Sequence, residues 1–125
     1  MSENEIAYQI RGAIYDVYNK LGPGLFESVY ENALSYELKK RGLEVKSQVP
    51  INIIYDGIDM GAGFKMDLLI EDKVIIELKS VEALALVHHK QLLTYLKLTN
   101  LKLGILVNFN TSNINQSIIR KVNGL

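Results

Sequence analysis

The sequence contains no cysteine, which excludes disulfide bonds, thiolate metal sites and catalysis by a cysteine nucleophile. It also lacks any apolar run that approaches the length of a membrane-spanning helix. Its first five residues include two acids and lack the basic and apolar regions of a signal peptide. We therefore expect a soluble, cytoplasmic protein with no membrane partner.

The sequence has no excess of either charge, because 14 basic side chains balance 14 acidic ones, and this argues against a strongly basic nucleic-acid binder. The charges are unevenly distributed, however. Every acidic residue lies at or before Glu82, and the rest of the chain carries five basic residues and no acid. This arrangement suits a metal-dependent enzyme that acts on a polyanion, although a chance skew gives the same pattern.

The length of 125 residues suits one domain with a real core, and we expect residues 1–125 to form a single domain. Apolar spacing predicts three main helices, over residues 3–20, 25–41 and 82–98, and a short one from Asn113. Strands are predicted over residues 43–49, 51–55 and 101–107, and in a hairpin whose strands begin at Phe64 and Val74. This order predicts an α/β (α+β) fold in which helices flank a mixed sheet.

The predicted hairpin carries the most informative residues. If residues 71–73 form its loop, Asp67 lies opposite Glu77 with Cβ atoms about 4.5–5.5 Å apart, and Glu77 shares a face with Lys79. Two carboxylates and an ammonium on one patch suit binding of Mg²⁺ and activation of a water molecule. A surface charge cluster is equally compatible, but like charges that face each other destabilise a sheet unless a cation lies between them.

Two of the predicted helices carry polar side chains that could join this patch. His88, Gln91 and Tyr95 share a face of the third helix, and Gln91 and Tyr95 could hold a phosphate or orient the hairpin lysine, although a polar boundary stripe has the same spacing. Glu27 and Tyr30 share a face of the second helix. Glu27 could supply a third carboxylate, although an acid in the first turn is favoured by the helix dipole in any case.

Three motifs in this order resemble the PD-(D/E)XK nuclease superfamily and, within it, the small family of GxxExxY proteins. The name-giving motif corresponds to residues 24–30, and the Asp…Glu-x-Lys signature corresponds to Asp67, Glu77 and Lys79. A Gln-x-x-x-Tyr motif, like that of the helicase-nuclease branch, corresponds to residues 91–95. The resemblance covers nearly the whole chain. It departs in one position, because Met66 precedes the aspartate where the name of the signature has proline.

The resemblance implies a restriction-endonuclease-like αβββαβ core. It implies that Asp67, Glu77 and Glu27 bind Mg²⁺ or Mn²⁺ and that Lys79 positions or activates the attacking water. The implied supporting residues are Gln91, Tyr95, Tyr30 and His88.

We therefore expect a metal-dependent nuclease that hydrolyses phosphodiester bonds, with DNA the expected partner, in DNA processing or repair. Lys90, Lys97 and Lys102 are the candidates for contacts with flanking phosphates. The short chain leaves little room for a separate DNA-reading domain, so a homodimer, a partner protein or the substrate structure would supply specificity. Two alternatives stay open: a structure-selective homodimeric junction resolvase, and a non-catalytic module that retains the fold to bind nucleic acid or protein.

Overall fold

The computed structural model describes residues 1–125 and contains three α-helices, five strands and one turn of 3-10 helix. The helices are α1 (Glu3–Leu21), α2 (Glu27–Lys40) and α3 (Leu86–Thr99), and the 3-10 turn spans Ile114–Ser117. The strands are β1 (Val45–Tyr55), β2 (Ile58–Ile70), β3 (Val74–Lys79), β4 (Leu103–Asn108) and β5 (Ile118–Val122). No helix is both long enough and apolar enough to cross a membrane.

The five strands form one mixed sheet in the order β1-β2-β3-β4-β5. Neighbouring strands are antiparallel except for β3 and β4, which are parallel and are joined through α3. A parallel pair needs such a crossover connection, and here the helix provides it. The predicted architecture of a mixed sheet flanked by helices is confirmed.

Helices cover both faces of the sheet. The larger apolar cluster joins α1 and α2 to one face, and the smaller one joins Leu92 and Leu96 of α3 to the other. Strand β3 contributes to both clusters, since Ile76 packs in the larger and Ile75 in the smaller. By this alternation, Glu77 and Lys79 lie on the α3 side of the sheet.

The start of α2 depends on the glycines before it. Helix α1 ends at Gly22, and Gly24 has a φ of +94°, a backbone conformation that favours glycine. The predicted break at residues 22–24 is therefore confirmed, although α2 begins at Glu27 rather than at residue 25. Pro50 is accommodated within β1 because β1 is an edge strand.

Two predicted helices were wrong in part. Helix α3 begins at Leu86, not at residue 82, because the backbone of Val81 exchanges two hydrogen bonds with the side-chain amide of Asn108, at 3.1 and 2.9 Å. The predicted helix from Asn113 is only the 3-10 turn, and β5 follows it. Pairing of β5 with β4 links residues that are distant in sequence, which local spacing does not reveal.

Candidate active site

The β2–β3 hairpin has the predicted loop, and β2 and β3 pair Ile70 with Val74 and Leu69 with Ile75. The pairing ends at Leu68 and Ile76, so the predicted direct pairing of Asp67 with Glu77 was wrong. The two strands separate at this point. Beyond this point β3 pairs only with β4, and the side chain of Asp67 fills the gap that β2 leaves.

The carboxylate of Asp67 replaces the missing backbone contacts between the two strands. Its Oδ2 accepts a hydrogen bond from the Leu78 N–H at 2.9 Å. The Asp67 N–H in turn points at Oε1 of Glu77, at 3.4 Å. The separation of the strands thus places the two predicted carboxylates beside each other even though they do not face each other in the sheet.

A backbone irregularity in β1 lies beside this separation. Gln48 has a φ of +52°, and neither Gln48 nor Asp67 is paired in the ladder between β1 and β2. The Nε2 of Gln48 donates to Oε1 of Glu31 at 2.6 Å and lies 3.5 Å from Oδ1 of Asp67. The amide of Gln48 therefore bridges a carboxylate of α2 and a carboxylate of the sheet.

The bridging amide lies in a cleft of about 320 Å³ between α2 and the sheet, lined by Glu27, Ser28, Glu31, Gln48, Asp67 and Leu78. Although three acids line this cleft, no three acidic or histidine side chains in the protein are close enough to hold one metal ion together. The structure therefore does not gather Asp67, Glu77 and Glu27 into one set of ligands. It brings only the first two together.

Glu77 is only 7% exposed, and its burial is the largest influence on its pKa. Burial, the charge of Asp67 and the hydrogen bond to the Asp67 side chain, in that order of importance, raise the pKa of Glu77 to about 9. The Asp67 N–H and the ammonium of Lys79 act in the opposite direction. At neutral pH and without a cation, Glu77 therefore holds a proton.

The carboxylates of Asp67 and Glu77 fit a divalent cation such as Mg²⁺ or Mn²⁺. Their oxygens are the hard ligands that these ions prefer, and a cation would offset the burial and the repulsion from Asp67 that keep Glu77 protonated. Two protein carboxylates with water and substrate oxygens are a common way of holding Mg²⁺.

Burial of Glu31 raises the pKa of its carboxyl group as well. The hydrogen bond from Gln48 opposes this rise, and the negative charge of Asp67 adds to it. The cleft thus contains a carboxyl group that, like that of Glu77, responds to the charge of Asp67.

Helix α3 brings one of its three predicted residues close to the carboxylates. The pKa of Tyr95 is raised by burial and then by the charges of Glu77 and Asp67, and its ring stacks on Phe64 at 3.9 Å. His88 instead stabilises the start of the helix, where its Nδ1 accepts the N–H of Ala85.

The third predicted residue of α3, Gln91, is exposed on the surface of the helix. The three predicted basic residues, Lys90, Lys97 and Lys102, are also exposed. All four side chains are therefore accessible to a large ligand.

The two motif residues of α2 differ in burial. Tyr30 is completely buried, and its hydroxyl donates to the carbonyl of Gly22 at 2.6 Å and accepts the N–H of Leu25 at 3.1 Å. Glu27 is exposed at the first position of the helix, where its Oε2 accepts the Ser80 N–H at 2.9 Å. The difference arises because α2 begins only at Glu27, so this side chain lies at the helix end and turns towards β3.

Sequence reasoning missed several residues of this region. Glu31 lies four residues after Glu27, and that helical spacing could have identified it. Gln48 gave no signal, because its contribution depends on a positive φ inside a strand. Phe64 is recognisable only from its stacking on Tyr95 in the folded protein.

A family model of the PD-(D/E)XK nuclease superfamily matches residues 4–121, and the chain therefore belongs to this superfamily. Among solved structures, it is similar to the protein described as "Crystal structure of SSO0001", with 27% sequence identity and a TM-score of 0.58. That match covers 79% of this chain and 51% of the other, so the chain spans about half the length of the solved protein. No curated protein sequence matches the chain.

Proposed function

We propose that the protein is a metal-dependent nuclease that hydrolyses phosphodiester bonds of nucleic acid, most simply of DNA, in DNA processing or repair. One observation carries the proposal: Asp67 and Glu77 lie beside each other where β2 and β3 separate, with Lys79 on the same side of β3 as Glu77. Membership of the nuclease superfamily supports it. Residues 24–30 further support placing the chain among the GxxExxY proteins.

Asp67 and Glu77 are the residues that would hold Mg²⁺ or Mn²⁺, which when bound lowers the pKa of a water molecule and neutralises charge at phosphorus. Glu77 must release its proton before it can serve as a ligand, since burial and Asp67 keep it protonated. Asp67 keeps its place through the hydrogen bond from the Leu78 N–H. The pair is thus built into the backbone of two adjacent strands.

Lys79 is the residue proposed to orient the attacking water and to stabilise the negative charge that develops on the phosphate. Its main chain is held beside β4, because its carbonyl accepts the Phe109 N–H at 2.9 Å. The charges of Glu77 and Asp67 contribute to the raised pKa of Tyr95. Its hydroxyl can donate to a carboxylate or phosphate oxygen. Gln91 and the exposed lysines of α3 would contact the flanking phosphates.

The direct test is cleavage of labelled single-stranded DNA, duplex DNA, four-way junctions and RNA in the presence of Mg²⁺, Mn²⁺ or EDTA. We expect cleavage by the wild type with metal, none with EDTA, and none by Asp67→Ala with an unchanged circular dichroism spectrum. Asp72→Ala is the matched control, because it removes an exposed aspartate from the loop of the same hairpin. Equal cleavage by Asp67→Ala, or no cleavage of any substrate by the wild type, would contradict the proposal. The second outcome would favour the non-catalytic module.

A second candidate function is a structure-selective homodimeric junction resolvase. The outer half of the β1–β2 hairpin extends past the residues that pair with β3 and exposes Ile54, Tyr55, Ile58 and Met60, each at least 56% exposed. Apolar patches of this kind are typical of protein contacts. A dimeric mass by light scattering together with preference for four-way junctions over linear duplex, both lost in Ile54→Lys with Ile58→Lys, would support this function. A monomeric wild type would contradict it.

A further inference from the structure

The segment that follows β3 is held by the loop before α2. The N–H of Ser80 donates to Oε2 of Glu27 at 2.9 Å, and its hydroxyl donates to the carbonyl of Leu25 at 2.6 Å. On the other side, the carbonyl of Lys79 accepts the N–H of Phe109. The peptide that joins Lys79 to Ser80 is therefore fixed from two directions.

The other motif residues of α2 support the same segment. Tyr30 fixes the loop through its hydrogen bonds to Gly22 and Leu25, and its ring stacks on Phe109 with centroids 4.4 Å apart. Phe109 is the residue whose N–H binds the carbonyl of Lys79. The two named side chains of the motif, Glu27 and Tyr30, thus act on opposite sides of one peptide.

The contacts of Glu27 differ from those of the second acid on the same helix. One oxygen of Glu27 is committed to a backbone N–H, and a hydrogen bond of this kind to a carboxylate is among the stronger ones. Glu31, one turn later, makes no hydrogen bond to β3 and instead accepts one from the Gln48 amide, which also approaches Asp67. Glu27 therefore contacts the backbone beside Lys79, whereas Glu31 faces the sheet carboxylate.

We propose that Glu27 is a positioning residue, which fixes the Lys79–Ser80 peptide and thereby the lysine, and that it is not a ligand of the cation. Its effect on cleavage rests on the proposed nuclease function. Its contact with Ser80 is a property of the metal-free protein and can be tested independently of any activity.

The first readout is amide hydrogen exchange at Ser80, measured by NMR without metal on Glu27→Ala, Glu27→Gln and Glu31→Gln. Glu27→Ala should speed exchange at Ser80 by about tenfold or more, since it removes a charge-assisted bond. Glu27→Gln keeps an acceptor oxygen and should stay within about threefold of the wild type. Glu31→Gln is the matched control and should leave exchange at Ser80 unchanged.

The second readout separates positioning from ligation. Glu27→Ala should lower kcat by about tenfold or more with little change in KM, and Glu27→Gln should restore it. Mg²⁺ binding, followed by calorimetry, should be the same in Glu27→Gln and the wild type. A ligand would behave differently, because removing its charge would weaken Mg²⁺ binding as Asp67→Ala does.

Two results would overturn the proposal: unchanged Ser80 exchange in Glu27→Ala, or Mg²⁺ binding lost in Glu27→Gln. If Glu27→Ala does not fold, Glu27→Gln still tests the second half of the proposal, because loss of Mg²⁺ binding in it would show that Glu27 is a ligand. If the wild type cleaves no substrate, the proposed function fails, while exchange at Ser80 still decides whether Glu27 holds this segment.

Discussion

The two halves of β3 differ in one neighbour. The first half, Val74–Ile76, pairs with β2 on one side and β4 on the other, and all its side chains are buried and apolar. The second half, Glu77–Lys79, keeps β4 but has lost β2, and it contains a buried acid. The comparison shows how the site arises: a strand that loses one neighbour leaves backbone groups free, and Asp67 occupies the place beside them.

The largest expected effect is a loss of stability caused by a substitution in the first half of β3. Ile76→Ala should lower the free energy of unfolding by about 2–5 kcal/mol, because Ile76 is completely buried and its truncation leaves a cavity. Denaturant unfolding measures this. Ile54→Ala, at a 61% exposed position of β1, is the matched control and should change stability little. Equal losses of unfolding free energy in the two variants would show that the buried side chain in the first half of β3 contributes no more to stability than an exposed one.

The second prediction concerns the second half of β3, Glu77–Lys79. Lys79→Ala should lower cleavage by about 10²–10³-fold, since it removes a positive charge from the transition state, with less than about 1 kcal/mol lost in stability. Cleavage kinetics and unfolding of the same preparation measure both quantities. Lys73→Ala removes an exposed lysine just before β3 and should leave cleavage unchanged. Wild-type activity in Lys79→Ala would remove the lysine from the proposed site.

The third prediction uses the pH dependence of stability. The pKa of Glu77 is about 9 in the folded protein against an ordinary 4.5, so the folded state keeps a proton that the unfolded state releases as pH rises between these values. The wild type without metal should therefore lose stability relative to Glu77→Gln by about 1.4 kcal/mol per pH unit within this range. Below pH 4.5 the difference should be constant, because both states are protonated.

Thermal or urea unfolding at several pH values measures this difference. Glu82→Gln serves as the control, because Glu82 is exposed and lies outside the strand. Parallel stability curves for Glu77→Gln and the wild type would mean that Glu77 is not held protonated by its surroundings.

The smallest expected effect is a weakening of DNA binding by a substitution on α3, outside β3. Lys97→Ala should weaken binding of duplex DNA only a few-fold and reduce the slope of log affinity against log salt by about 1, since Lys97 is proposed to contact a phosphate. Fluorescence anisotropy with Ca²⁺ in place of Mg²⁺ measures binding without cleavage. Lys39→Ala on α2 is the control. An unchanged salt slope in Lys97→Ala would exclude this contact.

Much of the hairpin could be predicted from the sequence because its signals are local. A charged three-residue break between apolar runs determined the loop and the register of Ile70 with Val74, and this register is confirmed. Alternation along the strand was also sufficient to place Glu77 and Lys79 on one face.

The remaining features depend on contacts between distant residues. Residues 82–85 have a helical composition, yet α3 starts after them because Asn108 holds Val81. The strand separation at Asp67 lies beside Gln48, whose positive φ is not indicated by residue spacing. The hydrogen bond between Glu27 and Ser80 could not be predicted without the position of β3 relative to α2.

We propose that Asp67 and Glu77 together hold a divalent cation where β2 ends its contact with β3. Isothermal titration of Mg²⁺ and Mn²⁺ at pH 7, into the wild type and into Asp67→Ala with Glu77→Ala, tests it most directly. Repeating the titration in buffers of different ionisation enthalpy counts the protons released. We expect saturable binding of the metal ion to the wild type with release of about one proton, from Glu77, and no binding to the double variant. Equal heats from both proteins, or no binding to the wild type, would contradict it.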